Sequence, residues 1–126
     1  MSNPDTRTLT IYGIKSCDTM KKAVTWLEAN GLEYDFHDYK KQGIDSARLQ
    51  TWLKQIPWDT LINKRGTTWR KLPDTSKKAV EEAIDDEKAI ALMMDTPSLI
   101  KRPVLVYGDH IEVGFKPENY EALLAQ

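Results

Sequence analysis

Between Thr8 and Leu27 the apolar pattern changes its period once, and the break falls at Gly13. Thr8 to Tyr12 alternate β-branched and aromatic side chains, which reads as a strand that Gly13 ends. Beyond Thr19, Met20, Ala23, Val24 and Leu27 recur at i, i+3, i+4 and i+7, one stripe of a helix that Asn30-Gly31 stops. "LEYDFHDY" then sets Tyr34, Phe36 and Asp38 on one side of a second strand. Strand, helix, strand in that order implies parallel strands joined by a right-handed crossover.

After the turn around Gly43, Asp45 or Ser46 caps a helix with Leu49, Trp52, Leu53 and Ile56 on one face, closed by Pro57. The middle reads as helical but broken. "WDTLINKRGTTWRKLPD" holds a short apolar turn, a Gly-Thr-Thr break, then Trp69 and Leu72. Ala79, Val80, Ala83 and Ile84 share one helical face, and Ala89, Ile90, Met93 and Met94 another; the paired methionines read as core filler. Val104 to Tyr107, the link Gly108-Asp109 and His110 to Val113 predict a hairpin, and Pro117 opens a closing helix. The expected fold class is α/β. A small mixed four-stranded sheet is covered by helices, in one domain over residues 1–126, with a helical insert at 44–98 between a βαβ and a ββα half.

The 126 residues suffice for one domain with a real core. With 18 basic and 19 acidic residues the net charge is −1, which gives no electrostatic case for direct binding of nucleic acid. The single cysteine excludes an internal disulfide. "MSNPDTRTLTIYG" shows no basic-then-apolar leader and no run is long enough for a bilayer, so a cytoplasmic protein without membrane attachment is expected. His37 and His110 lack metal-site spacing, and no glycine-rich phosphate loop is present.

Cys17 lies between the first strand and the first helical turn, in "GIKSCDTMKKA". Unpaired N–H groups and the positive end of the helix dipole favour a thiolate there. Lys15, Lys21 and Lys22 would assist and Asp18 would oppose. A buried, inert cysteine is the other reading of this residue. Met20 stands three positions after Cys17 and Ile14 three before it, so no Cys-x-x-Cys pair exists. Redox chemistry here would be monothiol, completed by an outside thiol such as glutathione. Basic residues gather at Lys64, Arg65, Arg70 and Lys71, at Lys101 and Arg102, and at Lys116, each read as solvated surface unless they converge on the thiol as an anion pocket. Because only about 5–6% of X–Pro bonds in folded proteins are cis, Arg102–Pro103 reads as trans on its own.

"TIYGIKSCDTMKKAVTWLE", "LINKRGTTWRKL" and "DTPSLIKRPVLVYGDHIEVGFKPE" together resemble the arsenate reductase (ArsC)/Spx family, most of all its YffB-type ArsC-like branch. The resemblance implies a thioredoxin-like fold with a helical insert, Cys17 as the reactive thiol, and Pro103 as a cis proline facing it. In arsenate reductases the cysteine takes up arsenate among three arginines, and glutathione with glutaredoxin completes the reduction. Arg102 matches the arginine before the cis proline. Lys116 stands where the reductases have an arginine, and Asn63 falls at the third position, with Lys64 and Arg65 just beyond. "YGIKSC" replaces the reductase motif around the cysteine.

The resulting expectation is a glutathione-dependent monothiol reductase with Cys17 catalytic. Lys15, Arg65, Arg102, Pro103 and Lys116 would bind the substrate or glutathione. Glutathione is the implied co-substrate, with no bound cofactor, glutaredoxin is a further partner, and the protein is expected to be a monomer. The alternatives are a glutaredoxin-coupled arsenate reductase and an Spx-like regulator that binds RNA polymerase.

Overall fold

The computed structural model describes residues 9–125. Thr8, at the head of the expected first strand, and most of the stretch on which the leader reading rests lie outside them. The chain divides into two compact units: the chain through Asp38 together with everything from Arg102 onward, and Tyr39–Lys101.

The first unit is built on a sheet of β1 (Leu9–Gly13), β2 (Asp35–Asp38), β3 (Val104–Tyr107) and β4 (His110–Val113), in the order β2-β1-β3-β4. β1 runs parallel to β2 and antiparallel to β3, and β3 pairs antiparallel with β4. The parallel pair needs a crossover, which α1 (Asp18–Ala29) provides. Its stripe is the one the sequence draws: Met20, Ala23 and Leu27 are buried. They meet Leu9, Ile11 and Leu105 of the sheet, with Tyr120 and Leu123 of α8 (Pro117–Leu124), in one cluster. Burying each aliphatic side chain of this kind stabilises the unit by about 1.5–3 kcal/mol. Gly31, at φ 67°, takes the left-handed turn that ends α1, and the Leu32 N–H donates to the Leu27 carbonyl at 3.0 Å.

The second unit comprises α2 (Tyr39–Gln42), α3 (Ser46–Leu53), α4 (Trp58–Leu61), α5 (Thr67–Arg70), α6 (Asp74–Glu81), α7 (Glu87–Asp95) and a 3-10 turn at Pro97–Leu99. Asp45 caps α3 by accepting the Arg48 N–H at 2.8 Å. The unit's core holds Leu49, Trp52, Leu61, Trp69, Met93 and Leu99. It is wider at both ends than the insert read from the helical pattern. Tyr39 already turns into α2, and Lys101 stays tied to this unit by its N–H to the Leu61 carbonyl at 2.8 Å.

Three apolar side chains depart from the periodicity, and the first is Phe36 of β2, which is exposed while Asp38, expected on the same side, is buried. α6 ends at Glu81, so Ile84 falls in the connection to α7 and stands fully exposed. In α7, Ala89 and Met93 are buried one turn apart, which rotates Met94 out to 43% exposure. Met93 fills the core; Met94 does not. No helix among the described residues is long and apolar enough to cross a membrane.

Candidate active site

β1 ends at Gly13, and a tight turn follows in which the Cys17 N–H donates to the Ile14 carbonyl at 3.2 Å. Cys17 then occupies the N-cap of α1 in extended conformation, with φ −78° and ψ 130°. Its carbonyl accepts the first helical bond, from the Lys21 N–H at 3.1 Å. The amides of the first turn have no partner inside the helix, so they face the cap residue. The neutral thiol makes no cap hydrogen bond of ordinary geometry. A negative sulfur there nevertheless gains from the N–H groups of Met20 and Thr19.

Partial burial of Cys17 raises its pKa. The Met20 N–H, a hydrogen bond from the Arg102 side chain, the Thr19 N–H and the positive charge of Arg102 outweigh it, and the net effect lowers the thiol below its ordinary value. The expected helpers differ from those found. Lys15, Lys21 and Lys22 are exposed and Asp18 faces solvent, and none of them is among the groups that move the sulfur. Asp18 instead complements the helix dipole in the first turn.

Arg102 reaches the sulfur through strand pairing. Val104 lies opposite Tyr12, so the residues before β3 run beside the turn that follows β1. The Arg102–Pro103 peptide bond is cis, and Pro103 is fully buried. The Pro103 carbonyl accepts the Gly114 N–H at 2.8 Å. Gly114, at φ 86°, has a backbone conformation that a side chain would strain. Its own carbonyl accepts the Tyr120 hydroxyl at 3.1 Å.

Of the residues read from the sequence, Cys17, Arg102 and Pro103 thus come together at one end of the sheet. Lys15 is exposed in the turn before Cys17, and Lys116 is exposed at the N-cap of α8. Arg65 belongs to the second unit, is exposed, and donates its backbone N–H to Asn63 Oδ1 at 3.3 Å. Beside it, Lys64 Nζ pairs with Glu81 at 3.5 Å and lies over the rings of Trp58 and Trp69 at 5.4 and 5.7 Å. Among the described residues no group of three His, Cys, Asp or Glu side chains is placed to hold a metal ion.

Sequence reasoning missed two contacts. Met20 lies directly across Gly13, where a Cβ would overlap its Sδ. Tyr120 bonds Gly114; the glycine in "VGF" and the tyrosine in the last helix are visible in the sequence, but nothing there pairs them.

A mixed sheet in this order, with a cysteine at the head of the helix after its first strand, defines a thioredoxin-like fold bearing one thiol at the helix start. The ArsC family profile matches residues 12–123, and the chain belongs to that family. The solved structure of a YFFB protein is 51% identical and superposes with a TM-score of 0.85, covering 93% of this chain and 99% of that one. An arsenate reductase (ArsC) related protein from Brucella melitensis is 49% identical with a TM-score of 0.71, covering 98% of this chain and 100% of that one. An uncharacterized protein of Haemophilus influenzae is 39% identical over 117 residues, 93% of this chain and 99% of the relative.

Proposed function

We propose that this protein is a monothiol oxidoreductase that reduces a disulfide with glutathione as the electron donor. The observation that carries the reading is the Cys17 sulfur, set at the start of α1 within reach of the Met20 and Thr19 amides and the Arg102 side chain. The thiolate attacks one sulfur of a disulfide R–S–S–R′, forming Cys17–S–S–R and releasing R′S⁻, which takes a proton from solvent. A glutathione thiolate then attacks the R sulfur, forms a glutathione–R disulfide and returns Cys17 as a thiolate. A second glutathione releases RSH and leaves glutathione disulfide, so two electrons move from two glutathiones to one disulfide.

Met20 supports the monothiol course, because it fills the position from which a second cysteine would resolve the mixed disulfide. The carboxylates of glutathione suit a cationic site, with Arg102 at the sulfur and Lys15 and Lys116 as exposed ammonium groups of the same unit. The chemistry requires a reducing compartment, in keeping with a cytoplasmic protein.

The test is turnover of a glutathionylated peptide or hydroxyethyl disulfide with glutathione, glutathione reductase and NADPH. Wild type is expected to accelerate NADPH consumption and Cys17→Ser to abolish the gain. Wild-type rates no higher than glutathione alone would sink the proposal. Arsenate with glutaredoxin is the parallel arm: Cys17-dependent turnover there, and none with disulfides, would replace this reading by arsenate reduction.

A further inference from the structure

Tyr120 is completely buried in the core beneath the sheet, yet it carries a hydroxyl. That hydroxyl donates to the Gly114 carbonyl at 3.1 Å, and the N–H of the same glycine donates to the Pro103 carbonyl at 2.8 Å. Pro103 is bonded to Arg102, whose side chain holds the Cys17 sulfur. The Tyr120 ring also faces α1, the helix that Cys17 heads, through an edge contact with Trp26 at 5.6 Å, and it meets Phe115 edge-on at 5.0 Å. One side chain therefore braces both the helix that presents the sulfur and the peptide that presents the guanidinium.

We infer that Tyr120 is a positioning residue for the Cys17 thiolate, acting through Gly114 and Pro103 on Arg102. This rests on Cys17 being the working thiol, and names a residue that sets its reactivity from within the core cluster against which Cys17 packs. Gly114 is the vulnerable joint of the relay. Its left-handed backbone, at φ 86°, is reached at little expense by glycine, and so needs both of its hydrogen bonds to stay in one place. Removing the hydroxyl leaves the Gly114 carbonyl unpaired, frees the peptide to rotate, and slackens the hold on Pro103 and Arg102. Burial, with the nearby Glu112 carboxylate, raises the Tyr120 pKa, so the hydroxyl keeps its proton and remains a donor across the working range.

The test reads the pH dependence of Cys17 alkylation by iodoacetamide in the full-length protein, alongside the melting temperature. In Tyr120→Phe the midpoint should move up and the rate at neutral pH should fall by about two- to tenfold, the range one hydrogen bond commands. In an Arg102→Ala background the same substitution should add no further shift. Gly114→Ala, whose new Cβ meets open space, strains the same joint from outside the core and should move the midpoint in the same direction. Should Tyr120→Phe not fold, Gly114→Ala carries the test. Leu123→Ala, a change in the same core cluster that removes no hydrogen bond to Gly114, should lower the melting temperature and leave the midpoint alone. An unshifted midpoint in Tyr120→Phe, a full extra shift on top of Arg102→Ala, or an equal shift in Leu123→Ala would each overturn the inference. A wild-type midpoint at the free-thiol value would instead defeat the functional reading itself. A low wild-type midpoint that Arg102→Ala raises and Tyr120→Phe does not would defeat only the role of Tyr120.

Discussion

Met20 lies so close across Gly13 that a Cβ on the glycine would overlap its Sδ and come within 2.9 Å of its Cε. Met20 is nearly fully buried, so its side chain has little room to retreat. Gly13→Ala should therefore destabilise the protein by about 1–3 kcal/mol, the usual range for overpacking. In urea unfolding, Gly13→Ala combined with Met20→Ala should cost less than the sum of the two single changes, since the second makes room for the first. Additive effects would show that Met20 does not set the limit at Gly13.

Beside the Met20 and Thr19 amides, Arg102 helps lower the pKa of Cys17. The folded thiol titrates below its ordinary value, so the alkylation rate of the native protein should rise and level off at lower pH than that of the urea-unfolded chain. Arg102→Ala removes one hydrogen bond and one positive charge and should shift the native curve toward the unfolded one. Arg102→Lys keeps the charge but not the planar fork, and should fall between them. Because the folded pKa is the lower one, the stability this group contributes is present above the unfolded pKa and is lost as pH falls through the folded one.

Tyr120 has the opposite sign. Its folded pKa is raised, so its contribution is complete below the unfolded value of about 10 and disappears as pH rises toward the folded value. Wild type should lose stability steeply above about pH 10, and Tyr120→Phe less steeply. At neutral pH the phenylalanine variant should be less stable by about 1 kcal/mol, the worth of the bond to Gly114. Denaturant unfolding at pH 7 and at successively higher pH reads both effects.

Asp45 holds the start of α3 by accepting the Arg48 N–H. Asp45→Ala should destabilise the protein by about 1 kcal/mol, whereas Asp45→Asn, which also caps well, should change little. Thermal unfolding of the two variants checks the order.

The sequence by itself determined the type and order of the elements of the first unit, though β2 is shorter than "LEYDFHDY" and turns Phe36 outward. Period, breaker and cap are local properties: the stripe Met20–Ala23–Leu27, Gly13 at the end of β1, Gly108-Asp109 in the hairpin and Pro117 at the head of α8 each lie within a few residues of what they specify. The position of Cys17 at a helix start was legible for the same reason. Where helices stop was less so, and Ile84 and Met94 came out exposed because α6 ends early and α7 turns its other face inward. Only the tertiary structure decided which cation attends the sulfur. Lys15, Lys21 and Lys22 are its neighbours along the chain, but they extend into solvent. Arg102 is distant in sequence and arrives because β3 pairs with β1, Val104 opposite Tyr12. The hydrogen bonds from Tyr120 to Gly114 and from Gly114 to Pro103 join residues close in the sequence, yet no local periodicity pairs them. Local periodicity encodes how a segment folds; which side chains meet depends on strand register, and register is set by the whole sheet.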